Sequence, residues 1–270
     1  MRTADAGKVR IRLLGVPWDA NSSHLRGAAQ APGKIREALN SKASNAWAET
    51  GIDTGARELL GDAGDVEFGS GGDWFRQTEA AAARLAGECK PLFLGGDHSV
   101  TYPLISGVAR KWPRLTIVHF DAHPDLYADF ENNRYSHASP MARIMEEKLV
   151  GRLIQIGIRT MNAHQREQAE NLGVEVYTLR QEVDLSDIEI AGPVYVTFDL
   201  DVLDPAFAPG VSHREPGGLS VREVIRHLHA IPGDIVAADL VEYNPLQDMD
   251  GMTATVCAKL VKELVGVMAR

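Results

Sequence analysis

Val9 to Val16 (VRIRLLGV) alternates and then runs apolar, the pattern of a strand entering a core. Short apolar runs of the same kind recur at Pro91–Leu94, Leu115–Phe120, Leu153–Ile158, Val174–Leu179, Val194–Phe198 and Ile235–Leu240. Helical patterns stand between them. Pro32–Leu39 starts on a proline, and Phe75–Cys89 is rich in alanine. Val100–Lys111 tolerates Pro103 only within its first turn. Ser139–Glu147 offers Ser139 as N-cap and Pro140 at the first position. Ser220–Ala230 opens with a capping box, Ser220 and Glu223, and Thr253–Val267 closes the chain. Apolar runs without alternation are buried on both faces, so the order of elements predicts an α/β fold with a parallel sheet covered by helices. Asn40 to Gly72 is the least regular stretch and reads as a loop. No low-complexity linker or internal repeat divides the chain, so residues 1–270 are expected to form a single domain.

Charge narrows the partners. With 28 basic and 37 acidic side chains the formal balance is −9, which disfavours nucleic acid and mildly favours small cations. No run approaches the ~18 apolar residues of a membrane helix, so no membrane role is expected. Cys89 and Cys257 form no metal or redox pattern. They read as reduced thiols of a cytoplasmic protein, and no N-terminal secretory signal contradicts that expectation.

The chemistry lies at the ends of three apolar runs. The segments are Leu94-Gly95-Gly96-Asp97-His98, His119-Phe120-Asp121-Ala122-His123-Pro124-Asp125 and Phe198-Asp199-Leu200-Asp201-Val202-Leu203-Asp204-Pro205. In parallel sheets ligands bind beyond the carboxyl ends of the strands, so these segments can converge. Residues i and i+2 of an extended strand share a side, which pairs Asp121 with His123 and Asp199 with Asp201. Carboxylates gathered so near a core repel one another unless cations neutralise them. Four aspartates and two histidines without cysteine argue against structural zinc. The set suits manganese, and less well magnesium, cobalt or iron. Two ions ~3.5–4 Å apart would share a water or hydroxide, a nucleophile near neutral pH. Asp97 and Asp204 are expected to brace turns, and His119 to pack beneath the site.

These segments resemble the signatures of the ureohydrolases: arginases, agmatinases, formimidoylglutamases and their relatives. Asp121 to Glu146, Leu203 to Ser220, Val241 to Pro245 and Asp250 to Leu264 are most similar to plant-type arginases. The resemblance runs from Gly15-Val16-Pro17 onward. It implies a three-layer α/β/α fold with a mainly parallel sheet, two Mn2+ per chain, and a homo-oligomer, trimer or hexamer. It places His98, Asp121, Asp125 and Asp199 on one ion and Asp121, His123, Asp199 and Asp201 on the other, with Asp121 and Asp199 shared. It also implies His137 as the proton shuttle and Glu242 as the grip on a guanidinium, with Asp125 completing the catalytic set. Asn133, Ser136 and His213 join Glu242 and His137 as substrate contacts, and His24 lies in a loop that could reach the same space.

The resemblance implies a cationic guanidino substrate, L-arginine first, cleaved to urea and L-ornithine. Agmatine is the alternative. The position that holds a carboxylate-binding asparagine in animal arginases is Tyr127 here. Asn132, Asn133, Ser136, Thr160, Asn162 and Arg214 are the possible replacements. Formimidoylglutamate would need a basic pocket that the sequence does not mark. Another guanidino compound, a silent metal-binding protein and a single-zinc deacetylase complete the alternatives, and a metal stoichiometry of two would exclude the last.

Overall fold

The computed structural model describes residues 9–69, 72–181 and 183–270. Eight strands, β1 (Ile11–Gly15), β2 (Leu60–Asp65), β3 (Lys90–Leu94), β4 (Thr116–Phe120), β5 (Arg152–Ile158), β6 (Glu175–Thr178), β7 (Pro193–Asp199) and β8 (Asp234–Val241), form one sheet. Its order is β2-β1-β3-β8-β7-β4-β5-β6, and every pairing is parallel. Side chains alternate between two cores. Leu92, Leu94, Val118 and Phe120 face one, and Phe93 and Ile117 the other. Helices α1 (Ala31–Leu39), α6 (Val221–Ala230) and α7 (Met252–Met268) cover the first. Helices α2 (Trp74–Glu88), α3 (Thr101–Ala109), α4 (Pro140–Glu146) and α5 (Ala163–Leu172) cover the second. This is the expected three-layer α/β/α arrangement, and each fully buried Leu, Ile or Phe contributes about 1.5–3 kcal/mol to it.

The register sets up the site. Leu94, Leu240, Phe198 and Phe120 lie opposite one another in a row across β3, β8, β7 and β4. The four central strands therefore end at one level. The polar segments that follow them emerge side by side.

Two elements differ from the sequence expectation. The stretch read as a loop contains β2 (LGDAGD), an edge strand paired only with β1. Gly and Asp are disfavoured in strands, so its pattern carried no strand signal. Helix α5 (AHQREQAENL) was not expected, because it buries only Gln165 and Ala169. Its punctuation was present all the same. Asn162 and Gln165 form a capping box, and Gly173 ends the helix in the left-handed conformation. Ser139 takes the N-cap position of α4 but makes no capping hydrogen bond. The helix read from Val100 begins as a 3-10 turn over His98–Val100 and becomes α-helical at Thr101, with Pro103 in the first turn.

Candidate metal centre

The three segments converge, but not by the geometry expected for an extended strand. β4 ends at Phe120, and Asp201 already lies in a 3-10 turn (Leu200–Val202). The paired residues are joined by a side-chain turn instead. Asp121 Oδ1 accepts the backbone N–H of His123 at 2.6 Å, and Asp199 Oδ1 accepts that of Asp201 at 2.9 Å. Asp97 Oδ1 accepts that of Ser99 at 3.1 Å in the same way. Each aspartate thereby holds the residue two positions on beside itself. Gly96 admits this packing, since a Cβ there would collide with the Trp18 carbonyl that accepts Asp97 N–H. Asp125 sits at φ 51°, a strained conformation for aspartate that turns its carboxylate inward.

His98 Nδ1 is the clearest sign of a cation site. It is enclosed and lies 2.9 Å from Asp125 Oδ2 and 3.2 Å from both Asp121 Oδ2 and Asp199 Oδ2. Yet it makes no hydrogen bond among the described residues. A lone pair facing three carboxylates is what a shared cation requires. A second group adjoins it. His123 Nδ1 lies 3.0 Å from Asp201 Oδ2 and 3.4 Å from Asp121 Oδ1, and Asp121, His123 and Asp201 can present one ligand atom each within 4.8 Å of the others. Asp121 thus turns one oxygen to each group. Asp199 faces His98 directly, and its other oxygen is engaged by Asp201 N–H. Burial, then the charges of Asp201 and Asp121, push the Asp199 carboxyl well above its usual range. Cations would relieve that crowding.

His119 does more than pack beneath the site. His119 Nε2 lies 2.7 Å from Asp121 Oδ2, while Gln155 Nε2 reaches His119 Nδ1 at 3.0 Å and the Pro124 carbonyl at 2.7 Å. The Gln155 amide donates to both, so His119 carries its proton on Nε2 and donates it to Asp121. Both nitrogens are occupied, so His119 is a support for Asp121 and not a ligand, although its position alone would allow ligation.

A cleft of about 170 Å³ opens beside these groups, and His123, Asp125, Asp199, Asp201, His137, His213 and Glu242 line it. Glu242 follows β8 at φ 63°, and its Oε1 accepts His98 N–H at 2.8 Å. The same oxygen lies 3.1 Å from His137 Nδ1, and His137 Nε2 lies 2.8 Å from Ser23 Oγ. Burial alone would lower the His137 pKa. The Glu242 hydrogen bond and charge, with Asp97 and Asp125 behind, outweigh it and push the imidazole up to about 9. Burial likewise opposes ionisation of Glu242, but the His137 contact holds its carboxyl below the usual value. His213 lies with its ring centroid 5.0 Å from that of His137 and 5.4 Å from that of His24. Burial lowers its pKa, and the charge of His137 lowers it further.

Two residues expected at the substrate do not reach the cleft. Asn133 donates to Asn21 Oδ1, and Ser136 Oγ accepts Ala138 N–H, so both brace the loop carrying His137. Arg214 turns away to Pro209 O and Gln247. Asn162 donates to the Tyr127 hydroxyl, which also lines the cleft. Asp204 braces a turn, accepting from Ala206, Gly217 and Gly218. Ser23 and Gln165 line the cleft without having stood out in the sequence. Ser23 lies in the polar run Asp19–His24 just beyond the end of β1, and Gln165 in the capping box of the unforeseen helix.

Comparison with known proteins agrees with this geometry. The Arginase family model matches residues 9–266. "Arginase 1, mitochondrial" of Arabidopsis thaliana is 44% identical over 288 residues, covering 100% of this chain and 84% of the relative. "Arginase 2, chloroplastic/mitochondrial" of the same plant is 43% identical, with 100% and 84% covered. The structure of the arginase from Medicago truncatula superposes with a TM-score of 0.90 at 42% identity, covering 97% of this chain and 88% of that one. These names correct the expected cytoplasmic location, because the similar relatives are mitochondrial or chloroplastic proteins. Two free cysteines do not distinguish the cytoplasm from an organelle. Among the described residues no helix is long and apolar enough to cross a membrane. Matched along nearly its whole length, the chain belongs to the arginase family, hydrolases of the ureohydrolase type.

Proposed function

We propose that this chain holds two Mn2+ ions and hydrolyses L-arginine to L-ornithine and urea. The observation that carries the reading is a cleft lined by His123 and by the paired Glu242 and His137, with Asp121 buried behind it and facing both His98 and His123. His98, Asp121, Asp125 and Asp199 would hold one ion, and Asp121, His123, Asp199 and Asp201 the other. When bound, the ions supply neutralising charge and a water acidic enough to attack near neutral pH.

The chain's own residues do the rest. Glu242 pairs with the substrate guanidinium, a planar cation that matches a carboxylate. Its aim is fixed by the backbone N–H of His98 and by His137. His137, protonated at neutral pH in this setting, gives its proton to the departing amine nitrogen. Ser23 holds the far side of its ring. Asp125 faces the cleft beside His98, and His213 lines it against the rings of His137 and His123. Replacing His137 by alanine is expected to leave metal content unchanged and to lower kcat about 10²–10⁴-fold. The wild-type rate should fall as pH rises through the His137 pKa, and that limb should be missing in the variant. A pH–rate profile identical to wild type would remove His137 from proton transfer.

Tyr127, Thr160 and Gln165 supply the neutral polar groups that face the substrate tail, and Asn133 and Ser136 act through the loop they brace. Whole-chain similarity to plant arginases favours arginine, and Tyr127 is the observation that favours agmatine as the second reading. Urea release by the manganese-loaded protein, measured in parallel on L-arginine and agmatine with a chelated control, decides between them. Chelator-sensitive urea chiefly from arginine is the expected result, and a preference for agmatine would replace it with the second reading. Assembly into trimers or hexamers belongs to the same proposal. The exposed Leu246, Met249 and Met252 side chains give such an assembly apolar surface to cover.

A further inference from the structure

Both ring nitrogens of His137 are hydrogen-bonded, although a proton has to leave the ring. Nδ1 lies 3.1 Å from Glu242 Oε1, and Nε2 lies 2.8 Å from Ser23 Oγ. His137 is 9% exposed, whereas Ser23 is exposed and lines the cleft. Backbone contacts set the distance between the two side chains. His137 N–H donates at 3.2 Å to the carbonyl of Asn21, two residues before Ser23. Asn21 is itself held from three sides. Its N–H donates to Asp97 Oδ2 at 3.0 Å, its side-chain NH2 donates to Ser99 Oγ at 3.1 Å, and its Oδ1 accepts from Asn133 at 3.3 Å. The segment after β1 and the loop carrying His137 are thus fastened together with the hydroxyl against Nε2.

Proton bookkeeping decides which nitrogen gives its proton up. An ionised carboxylate only accepts. The His137 contact holds the Glu242 carboxyl below its usual value, and its Oε1 already accepts His98 N–H. Nδ1 therefore keeps its proton on Glu242 in both charge states of the ring. The proton that leaves is the one on Nε2, and the atom it faces is Ser23 Oγ. A hydroxyl can accept and donate at once. While the ring is an imidazolium, Ser23 accepts from Nε2–H and is free to turn its own proton into the cleft. In the transfer the Nε2–H bond breaks as that proton bonds to Oγ. The original O–H bond breaks as the lone pair of the departing nitrogen takes its proton. Ser23 ends neutral and donating to the bare Nε2, and the positive charge has passed from the ring to the amine.

We propose that Ser23 is a proton relay: the proton of His137 Nε2 reaches the departing amine nitrogen through the Ser23 hydroxyl. The inference rests on the reading of His137 as the proton donor in guanidine hydrolysis.

Ser23→Ala in the manganese-loaded, full-length protein tests it, with L-arginine and L-canavanine as paired substrates. Canavanine departs as an aminooxy group, a far weaker base than an alkylamine, so its departure depends less on proton delivery. Ser23→Ala should keep its metal and lose about 10²-fold in kcat on arginine but only about 10-fold on canavanine. Ser23→Thr, which keeps the hydroxyl, should recover most of the lost rate. Wild-type kcat on arginine in Ser23→Ala would overturn the proposal. So would equal losses on the two substrates, the mark of a purely structural role, or a Ser23→Thr variant as slow as Ser23→Ala. His137→Ala, assayed alongside, keeps the two readings apart. Wild-type kcat in that variant, or no urea from arginine in the native chain, would defeat the reading beneath the proposal. A slow His137→Ala with a wild-type Ser23→Ala would defeat only the relay.

Discussion

Replacing Asp121 by alanine is expected to strip both metal ions and to lower urea release on the order of 10⁴-fold or more, the several kcal/mol that a metal centre contributes to the barrier. Among the described residues, no other carboxylate turns one oxygen to His98 and the other to His123 as Asp121 does. Its Oδ2 lies 3.2 Å from His98 Nδ1, and its Oδ1 lies 3.4 Å from His123 Nδ1. The same side chain accepts from His119 and from the His123 backbone. Alanine would leave those two donors without an acceptor, a cost of about 1–3 kcal/mol each where burial keeps water away. It would also remove one of several crowded negative charges, which offsets part of that loss. Folding should therefore survive while metal binding does not. Elemental analysis of the dialysed variant checks this, and two retained ions with normal turnover would take Asp121 out of the shared position.

Replacing Glu242 by glutamine should give the second largest loss, about 10²–10³-fold in kcat/KM with metal content intact. The figure corresponds to about 3–4 kcal/mol, in line with the cost of removing one partner of a buried ion pair. Glutamine keeps the shape and can still accept from His98 N–H, so the loss reports charge. A second effect follows from the contact with His137. The Glu242 hydrogen bond and charge are the leading influences that raise the His137 pKa to about 9 against its burial. Without that charge the folded pKa falls, and the limb on which activity declines with rising pH should move to lower pH. The sign also holds for stability. A raised folded pKa stabilises the fold below the unfolded histidine pKa, and the gain is lost as pH rises through about 9. A variant with wild-type kcat/KM, or with an unmoved limb, would dissociate Glu242 from guanidinium binding and from His137.

Much of this site was legible because strand ends are legible. The apolar runs before Asp97, Asp121 and Asp199 announced where β3, β4 and β7 stop, and a parallel sheet brings such ends together. What the runs could not convey was the level at which each strand stops. The row Leu94–Leu240–Phe198–Phe120 is a property of the register, which no single strand encodes. The local geometry of the ligand pairs was misread for a related reason. D-x-H and D-x-D are compatible with an extended strand or with an aspartate turn, and the backbone chooses the turn once the strand has ended.

The supporting groups were harder to foresee. Gln155 and Thr197 look like ordinary polar interruptions of apolar strands, and only their partners across the sheet give them work. Helix α5 and β2 escaped because hydrophobic periodicity detects elements by what they bury, and these bury little. Asn133 and Ser136 share the loop of His137, but sequence proximity does not decide which side chains turn toward the cleft.

Anomalous diffraction from crystals of the manganese-loaded protein, recorded at the manganese edge, tests the central claim most directly. The account predicts two manganese peaks per chain, one against His98 Nδ1 and one against His123 Nδ1, with Asp121 touching both. A single peak, or peaks away from these two nitrogens, would contradict it.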